Sequence, residues 1–151
     1  MIQDPNSKEF QQHILLVNTD FYDFIYKDEW FKQVFCNVEQ TIITKQQTDF
    51  IIQAFGGPSN YCGRMPSDAH PHLFIDEHMW DLREEYLLKA FEKNSTPIEI
   101  KNKWLKIDNA FKNAIVKNSI NDCRKRFNSD EIIFVDSHLD PRYQEKIKKN
   151  T

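Results

Sequence analysis

The sequence predicts an all-α fold, and three observations carry the prediction. Apolar residues recur at steps of three and four over long stretches, which marks amphipathic helices. No stretch alternates convincingly with a period of two. All three glycines and three of the six prolines fall between Phe55 and Ile75, so the helix breakers are gathered in one irregular segment. Two helices precede that segment and two follow it. A long irregular segment inside a compact helical domain is uncommon and often functional.

The first helix is expected to start at Asp4-Pro5, because Asp caps and Pro is tolerated at the first helical position. Phe10, Ile14, Val17, Phe21 and Ile25 form its apolar face as far as Lys27, with Tyr22 beside the stripe. Glu29 to Phe35 reads as one or two helical turns. A second helix is predicted over Val38–Phe55, with Ile43, Gln47, Phe50, Ile51 and Ala54 on one face. Gln47 breaks that pattern. A buried amide needs hydrogen-bond partners, and an amide at the rim is solvated. Gly56-Gly57-Pro58 stops the helix, since Gly takes the left-handed position and Pro cannot continue.

Ile75, Met79, Leu82, Tyr86 and Ala90 predict a third helix from near Asp76 to Lys93-Asn94. Thr96-Pro97-Ile98-Glu99 reads as a capping box. It opens a fourth helix, whose face is Ile100, Trp104, Ile107, Phe111, Ala114 and Ile115 and whose end is placed as late as Arg126. From Ser129 the character changes. Ile132-Ile133-Phe134-Val135 suits an extended strip packed on the bundle, and His138 to Thr151 is polar and expected to be mobile. The division is a helical domain over residues 1–128 and a C-terminal extension over 129–151.

Composition narrows the function. A chain of 151 residues can build one core, and 12 Phe suggest either an aromatic core or a large flat apolar ligand. Net charge is −3, so no basic excess points to nucleic acid or to an anionic membrane. No apolar run approaches the roughly 18 residues of a membrane span. Met1 to Pro5 shows no signal peptide, and the odd trio Cys36, Cys62 and Cys123 reads as reduced thiols, so a cytoplasmic protein is expected. Ser67-Asp68-Ala69-His70 is too local to make a hydrolytic triad.

His70 then needs a role. It suits an ordinary loop histidine. It also suits a metal site with His72, His78, Asp68 and Asp76, although their spacing is not distinctive. A third reading is an axial haem ligand, with one imidazole nitrogen on iron and the other held by a hydrogen bond. Phe35, Phe50, Ile51, Phe55, Phe74 and Ile75 can supply apolar walls, and Tyr22 and Gln47 the polar groups.

The third reading meets a resemblance. Phe21-Tyr22, Phe35, Gln47, Phe50, Phe55-Gly56-Gly57-Pro58, Tyr61-x-Gly63, His70 and Ile75 occur in the order and spacing of the truncated haemoglobins, most like the first group. The resemblance covers roughly Phe10 to Val116 and implies a globin-like, two-over-two helical sandwich. It implies haem b, with His70 as the proximal iron ligand, although His72 lies only two residues on. It implies Tyr22 and Gln47 as distal residues that stabilise a bound ligand and Phe35 as a stacking residue. Ile43 falls at the distal gate, and Phe50, Tyr61 and Ile75 become further haem contacts. Gln46 stands where some members carry a base for a propionate, and Arg64 is the candidate replacement. The implied function is reversible binding of oxygen or nitric oxide. A tight oxygen complex suits nitric oxide oxidation with an external reductase, or sensing, better than bulk oxygen transport. The alternatives are a haem-free interaction protein of the same fold and a six-coordinate haem sensor.

Overall fold

A computed structural model describes residues 3–149; the outermost residues of the two expected segments, 1–2 and 150–151, lie outside the described residues. Helix α1 spans Lys8–Lys27. It starts later than Asp4-Pro5 because Ser7, three residues before the first stripe residue, is the better placed cap. The Ser7 hydroxyl accepts the Phe10 N–H at 3.1 Å, while the Asp4 side chain accepts the Asn6 N–H at 3.0 Å in the preceding turn. Phe10, Ile14, Val17, Phe21 and Ile25 are all buried, as their period predicts. Burying a side chain of that size stabilises the fold by about 1.5–3 kcal/mol.

Asp28 turns the chain into a short 3-10 helix, Phe31–Phe35, by accepting the N–H groups of Trp30 and Phe31 at 3.1 and 2.9 Å. Helix α2 is Gln40–Ala54, shorter than the predicted Val38–Phe55. Its core face also differs from the predicted stripe. Thr44, Thr48, Ile51 and Ile52 are buried, Ile43, Gln47 and Phe50 are half-buried, and Ala54 is exposed. Thr48 tolerates burial because its hydroxyl donates back to Thr44 O at 2.7 Å and accepts from Asn18 Nδ2 of α1 at 3.1 Å. Gly56 ends the helix with a φ of +94°. At Gly57 a Cβ would lie 2.6 Å from Pro5 O and 2.7 Å from Ile52 Cγ2, so only glycine lets the chain pass.

The irregular segment contains one short helix, α3 (Pro66–Ala69), and His70 follows at its C-terminal cap. Leu73–Phe74 then forms β1, which pairs in parallel with β2 (Ile133–Phe134), Leu73 opposite Ile133 and Phe74 opposite Phe134. This small sheet was invisible to a period-two search, since two-residue strands show no alternation. Helix α4 is Glu77–Lys93, capped by Asp76 Oδ1 on the Met79 N–H at 2.9 Å.

Helix α5 is Ile98–Ile115, and two expectations about it fail. Pro97 is the N-cap, and the Thr96 hydroxyl pairs instead with His13 Nε2 at 2.9 Å, so no capping box forms. The helix stops at Ile115 rather than running toward Arg126, because Val116 turns extended and bridges Ile75. The strand-like run continues: the N–H groups of Lys117, Arg124 and Ile133 donate to the carbonyls of Ile75, Pro71 and His72 at 2.8, 2.8 and 2.9 Å.

The tail departs from the expected mobile state. Pro141–Lys149 forms helix α6, and polar side chains fix the segment before and within it. Trp30 Nε1 donates to Asp136 O at 3.0 Å, and His78 Nε2 to the buried Asp140 carboxylate at 2.7 Å. The polar side chains of Asp136, Asp140 and Arg142 dock by hydrogen bonds, while α6 itself buries no residue in full. Within the bundle α1 packs against α2 and α4. Among the described residues no helix is long and apolar enough to cross a membrane.

Candidate functional site

A cavity of about 700 Å³ lies where the irregular segment meets the bundle, lined from α1, α2, α4 and α5. It falls within the roughly 300–1,000 Å³ typical of cofactor pockets. Nine of the residues singled out from the sequence line it: Tyr22, Phe35, Ile43, Gln47, Phe50, Tyr61, Arg64, His70 and Ile75. The expected walls Ile51, Phe55 and Phe74 do not: Ile51 is buried in the core, Phe55 is buried on Phe10 with ring centroids 5.2 Å apart, and Phe74 packs on Phe134 at 5.1 Å.

Tyr22 reaches the cavity from the buried face of α1 and is held by rings. Phe21 lies 4.9 Å and Phe35 6.1 Å from it, both edge-on. Its hydroxyl has no hydrogen-bond partner among the described residues. Burial raises the phenol's pKa, so the hydroxyl keeps its proton and can donate at neutral pH. Ile43, Gln47 and Phe50 follow at steps of four and three along α2. That explains why they are only half-buried. They face the cavity rather than a packed helix, so Gln47 needs no partner from the core.

Tyr61 closes another wall, edge-on to Phe50 at 5.2 Å, and its hydroxyl donates to Arg64 O. The Tyr-x-Gly spacing has a steric reason. The Tyr61 ring folds over Gly63, where a Cβ would lie 2.6 Å from the ring's Cζ.

His70 is fixed by α3. Its Nδ1–H donates to Pro66 O at 2.7 Å, four residues back. That bond places the proton on Nδ1 and leaves Nε2 with its lone pair and with no partner among the described residues. Burial pushes the imidazole down to about 4, against the opposing pull of the Pro66 carbonyl, so the ring is neutral at pH 7. Lys117 fixes the backbone around it. Its Nζ donates to His70 O, Leu73 O and Ile115 O at 2.9, 2.8 and 3.2 Å.

The histidine cluster considered as a metal site does not assemble. His78 turns to Asp140, and among the described residues no three His, Cys, Asp or Glu side chains gather around a possible ion. Cys36, Cys62 and Cys123 are free thiols.

Sequence reasoning missed several lining residues. Arg83 and Asp108 face the cavity as an ion pair, Arg83 Nη1 to Asp108 Oδ2 at 2.9 Å. Each occupies a stripe position, Arg83 one turn after Met79 and Asp108 one turn after Trp104. A charge on an apolar face was the available signal, as it was for Gln47. Arg126 and Phe127 also reach the cavity, from beyond the four main helices. Arg126 Nε and Nη2 grip the two oxygens of Asp130 at 2.8 and 3.0 Å.

Comparison with known proteins gives this geometry its family. The Bacterial-like globin family model matches residues 10–117. Group 1 truncated hemoglobin of Tetrahymena pyriformis is 33% identical over 73 residues, 48% of this chain and 60% of that protein. Group 2 truncated hemoglobin 3-1 of Lotus japonicus is 32% identical over 76 residues, 49% of this chain and 44% of that protein. The chain thus spans about half the length of these curated relatives. The crystal structure of truncated hemoglobin from Tetrahymena pyriformis, Q46E mutant in the Fe(III) form, superposes with a TM-score of 0.60 at 25% identity, over 70% of this chain and 90% of that one. The family model covers more than half of the chain and the fold agrees with it: the chain belongs to the bacterial-like, truncated globin family, with the two-over-two fold.

Proposed function

We propose that this protein holds haem b in the 700 Å³ cavity and binds small diatomic gases, oxygen or nitric oxide, on its iron. Family membership supports haem-based gas binding in general. The observation that carries the assignment to this chain is His70, a neutral imidazole with Nδ1 pinned to Pro66 O and Nε2 unpartnered on the cavity wall. A metal-ligating histidine needs that arrangement, in which a hydrogen bond at one nitrogen orients the other. His72, two residues on, has a buried Nδ1 without a partner and lacks such an anchor.

Haem, when bound, would supply an iron that can bind a gas. The rest of the work falls to the chain. Phe35, Phe50 and Ile75 offer apolar walls, and Arg64 offers positive charge for a propionate. The Tyr22 hydroxyl holds a proton that it can share with a polar ligand, and Gln47 supplies an amide nearby on the same cavity.

The test is haemin titration of purified protein, followed by absorption in ferric and dithionite-reduced forms, beside a His70→Ala variant. A stoichiometric haem band that is altered or lost in the variant is the expected result. A folded protein that takes up no haemin would overturn the reading.

A further inference from the structure

Past residue 117, where the family match ends, the chain helps to build a second concavity. It is a groove of about 460 Å³ lined by Arg64, Asp68, Pro71, Arg124, Lys125 and Arg126. Four of these six residues are basic, in a chain whose net charge is −3. Arg126 is neutralised by Asp130, while Asp122 and Glu131 lie close in the chain without lining the groove. That leaves Arg64, Arg124 and Lys125 against Asp68. All four are exposed, and their side chains make no hydrogen bond or ion pair among the described residues. The backbone that displays the cations is pinned. The Arg124 N–H donates to Pro71 O at 2.8 Å, and the Arg126 N–H to Asp130 Oδ2 at 3.0 Å.

Two further features narrow the occupant. Arg64 and Arg126 line the cavity as well, so whatever fills the groove sits at the cavity's edge. Met65 and Phe127, each the next residue after one of these arginines, are both 49% exposed. Arginine, methionine and aromatic side chains are the ones that protein interfaces enrich. Exposed cations on two segments of the chain suit a protein bearing several carboxylates. A small anion is better served by an enclosing wall, and the acidic balance of the whole chain disfavours nucleic acid.

We propose that this groove is the docking face for an acidic protein that carries a one-electron donor, of the flavin or iron–sulfur class. Oxygen binds iron only in its ferrous state, so a protein that meets oxygen needs a source of single electrons. The partner loses one electron and ferric iron gains it; no bond forms or breaks. The proposal rests on the haem reading for the electron acceptor, whereas docking by charge does not.

The experiment uses an acidic [2Fe–2S] ferredoxin as the probe and photoreduced lumiflavin as a small neutral donor. The groove variant is Arg124→Glu with Lys125→Glu. The control is Lys8→Glu with Lys106→Glu, on α1 and α5, which changes net charge equally. Thermal melting checks that both are folded. Reduction of the ferric, haem-loaded protein by ferredoxin is expected to slow about tenfold or more in the groove variant at low salt, the scale of electrostatic steering, and to lose most of its salt dependence. The control should keep most of the rate, and lumiflavin should reduce all three proteins alike. Equal ferredoxin rates in the groove variant and the control would overturn the proposal while leaving the haem reading intact. Calorimetry of ferredoxin with haem-free protein reads docking alone. Binding at low salt that only the groove variant loses upholds the docking face even if no haem is taken up, and no binding by the wild type overturns it. Inorganic phosphate is titrated in parallel, and sedimentation gives the oligomeric state. Saturable phosphate binding, or a dimer, that the groove variant abolishes would give the groove to a small anion or to a second copy, and either result overturns the proposal.

Discussion

Arg142 Nη1 donates to Asp28 Oδ2 at 2.7 Å, joining residues 114 positions apart in the chain. The same guanidinium donates through Nε to Asp140 at 2.9 Å and through Nη1 to the Tyr86 hydroxyl at 3.2 Å. One side chain of α6 therefore ties the turn after α1, the face of α4 and its own helix start together. Asp28 and Asp140 are both buried deeply enough that water cannot replace it in full.

Arg142→Ala should destabilise the fold. Breaking a buried pair by removing one partner costs about 3–5 kcal/mol. The Arg142 side chain is 40% exposed, so water reaches part of the gap, and we expect about 2 kcal/mol, between the roughly 0–1 kcal/mol of exposed pairs and the cost of breaking a buried one. Urea unfolding measures it. Haem uptake should be retained, since no residue of α6 lines the cavity.

The same variant has a pH signature. Burial works to raise the Asp28 and Asp140 carboxyls, but their hydrogen bonds to Arg142 and its neighbours outweigh it and hold both below the ordinary carboxylate value. A lowered folded pKa contributes stability that is fully present above the unfolded value, near 3.9, and is lost as pH falls through the folded one. The stability gap between wild type and Arg142→Ala should be flat from about pH 5 to 7 and shrink below about pH 4. Urea midpoints across that range check it, and a gap that widens on acidification would contradict the assignment.

Tyr22→Phe should leave stability nearly unchanged, because the hydroxyl has no partner among the described residues. Its effect belongs to the ligand. Losing one donor to a polar ligand in a dry site is expected to speed oxygen dissociation about tenfold. Stopped-flow displacement by carbon monoxide reads the rate, and an unchanged rate would remove Tyr22 from the ligand's surroundings.

Lys117→Met should loosen the segment that carries His70. Three carbonyls lose their shared donor, and we expect about 2 kcal/mol in stability from the acceptors left unsatisfied. Haem transfer to an excess of apomyoglobin should be faster than from wild type. Equal transfer rates would show that α3 alone holds the histidine.

Gly57→Ala tests the end of α2. Its Cβ would press on the Pro5 carbonyl and on Ile52, and overpacking of this kind costs about 1–3 kcal/mol. Thermal melting should show the loss, with the spectrum of any bound haem unaltered.

Legibility followed the physics of each element. The stripe of α1 was readable because all five of its apolar positions face one packed core. The α2 stripe misled, since Ile43, Gln47 and Phe50 face a cavity while two threonines carry the core side by satisfying their own hydroxyls. The glycine-rich link was legible as a whole. It owes its residues to close backbone approach at Gly57 and to a ring folded over Gly63. Arg83 and Asp108 were missed although they broke apolar stripes, because each explains the other only once α4 and α5 lie side by side. The extension was the least readable part. Its partners Asp28, His78 and Asp76 are 61 to 114 residues away, and its own composition holds no trace of them.

The strap formed by residues 116–134 orders events in time. His70 is synthesised before its neighbours' partners: the backbone groups around it find their mates on Val116, Lys117, Arg124 and Ile133. A ribosome must therefore release more than 60 further residues before that face of the cavity is closed, from His70 to Ile133. Such long-range pairings are late and slow steps in folding. The nascent chain holds its histidine on an unfinished wall while those residues are made, and that face of the cavity closes only once Ile133 has left the ribosome.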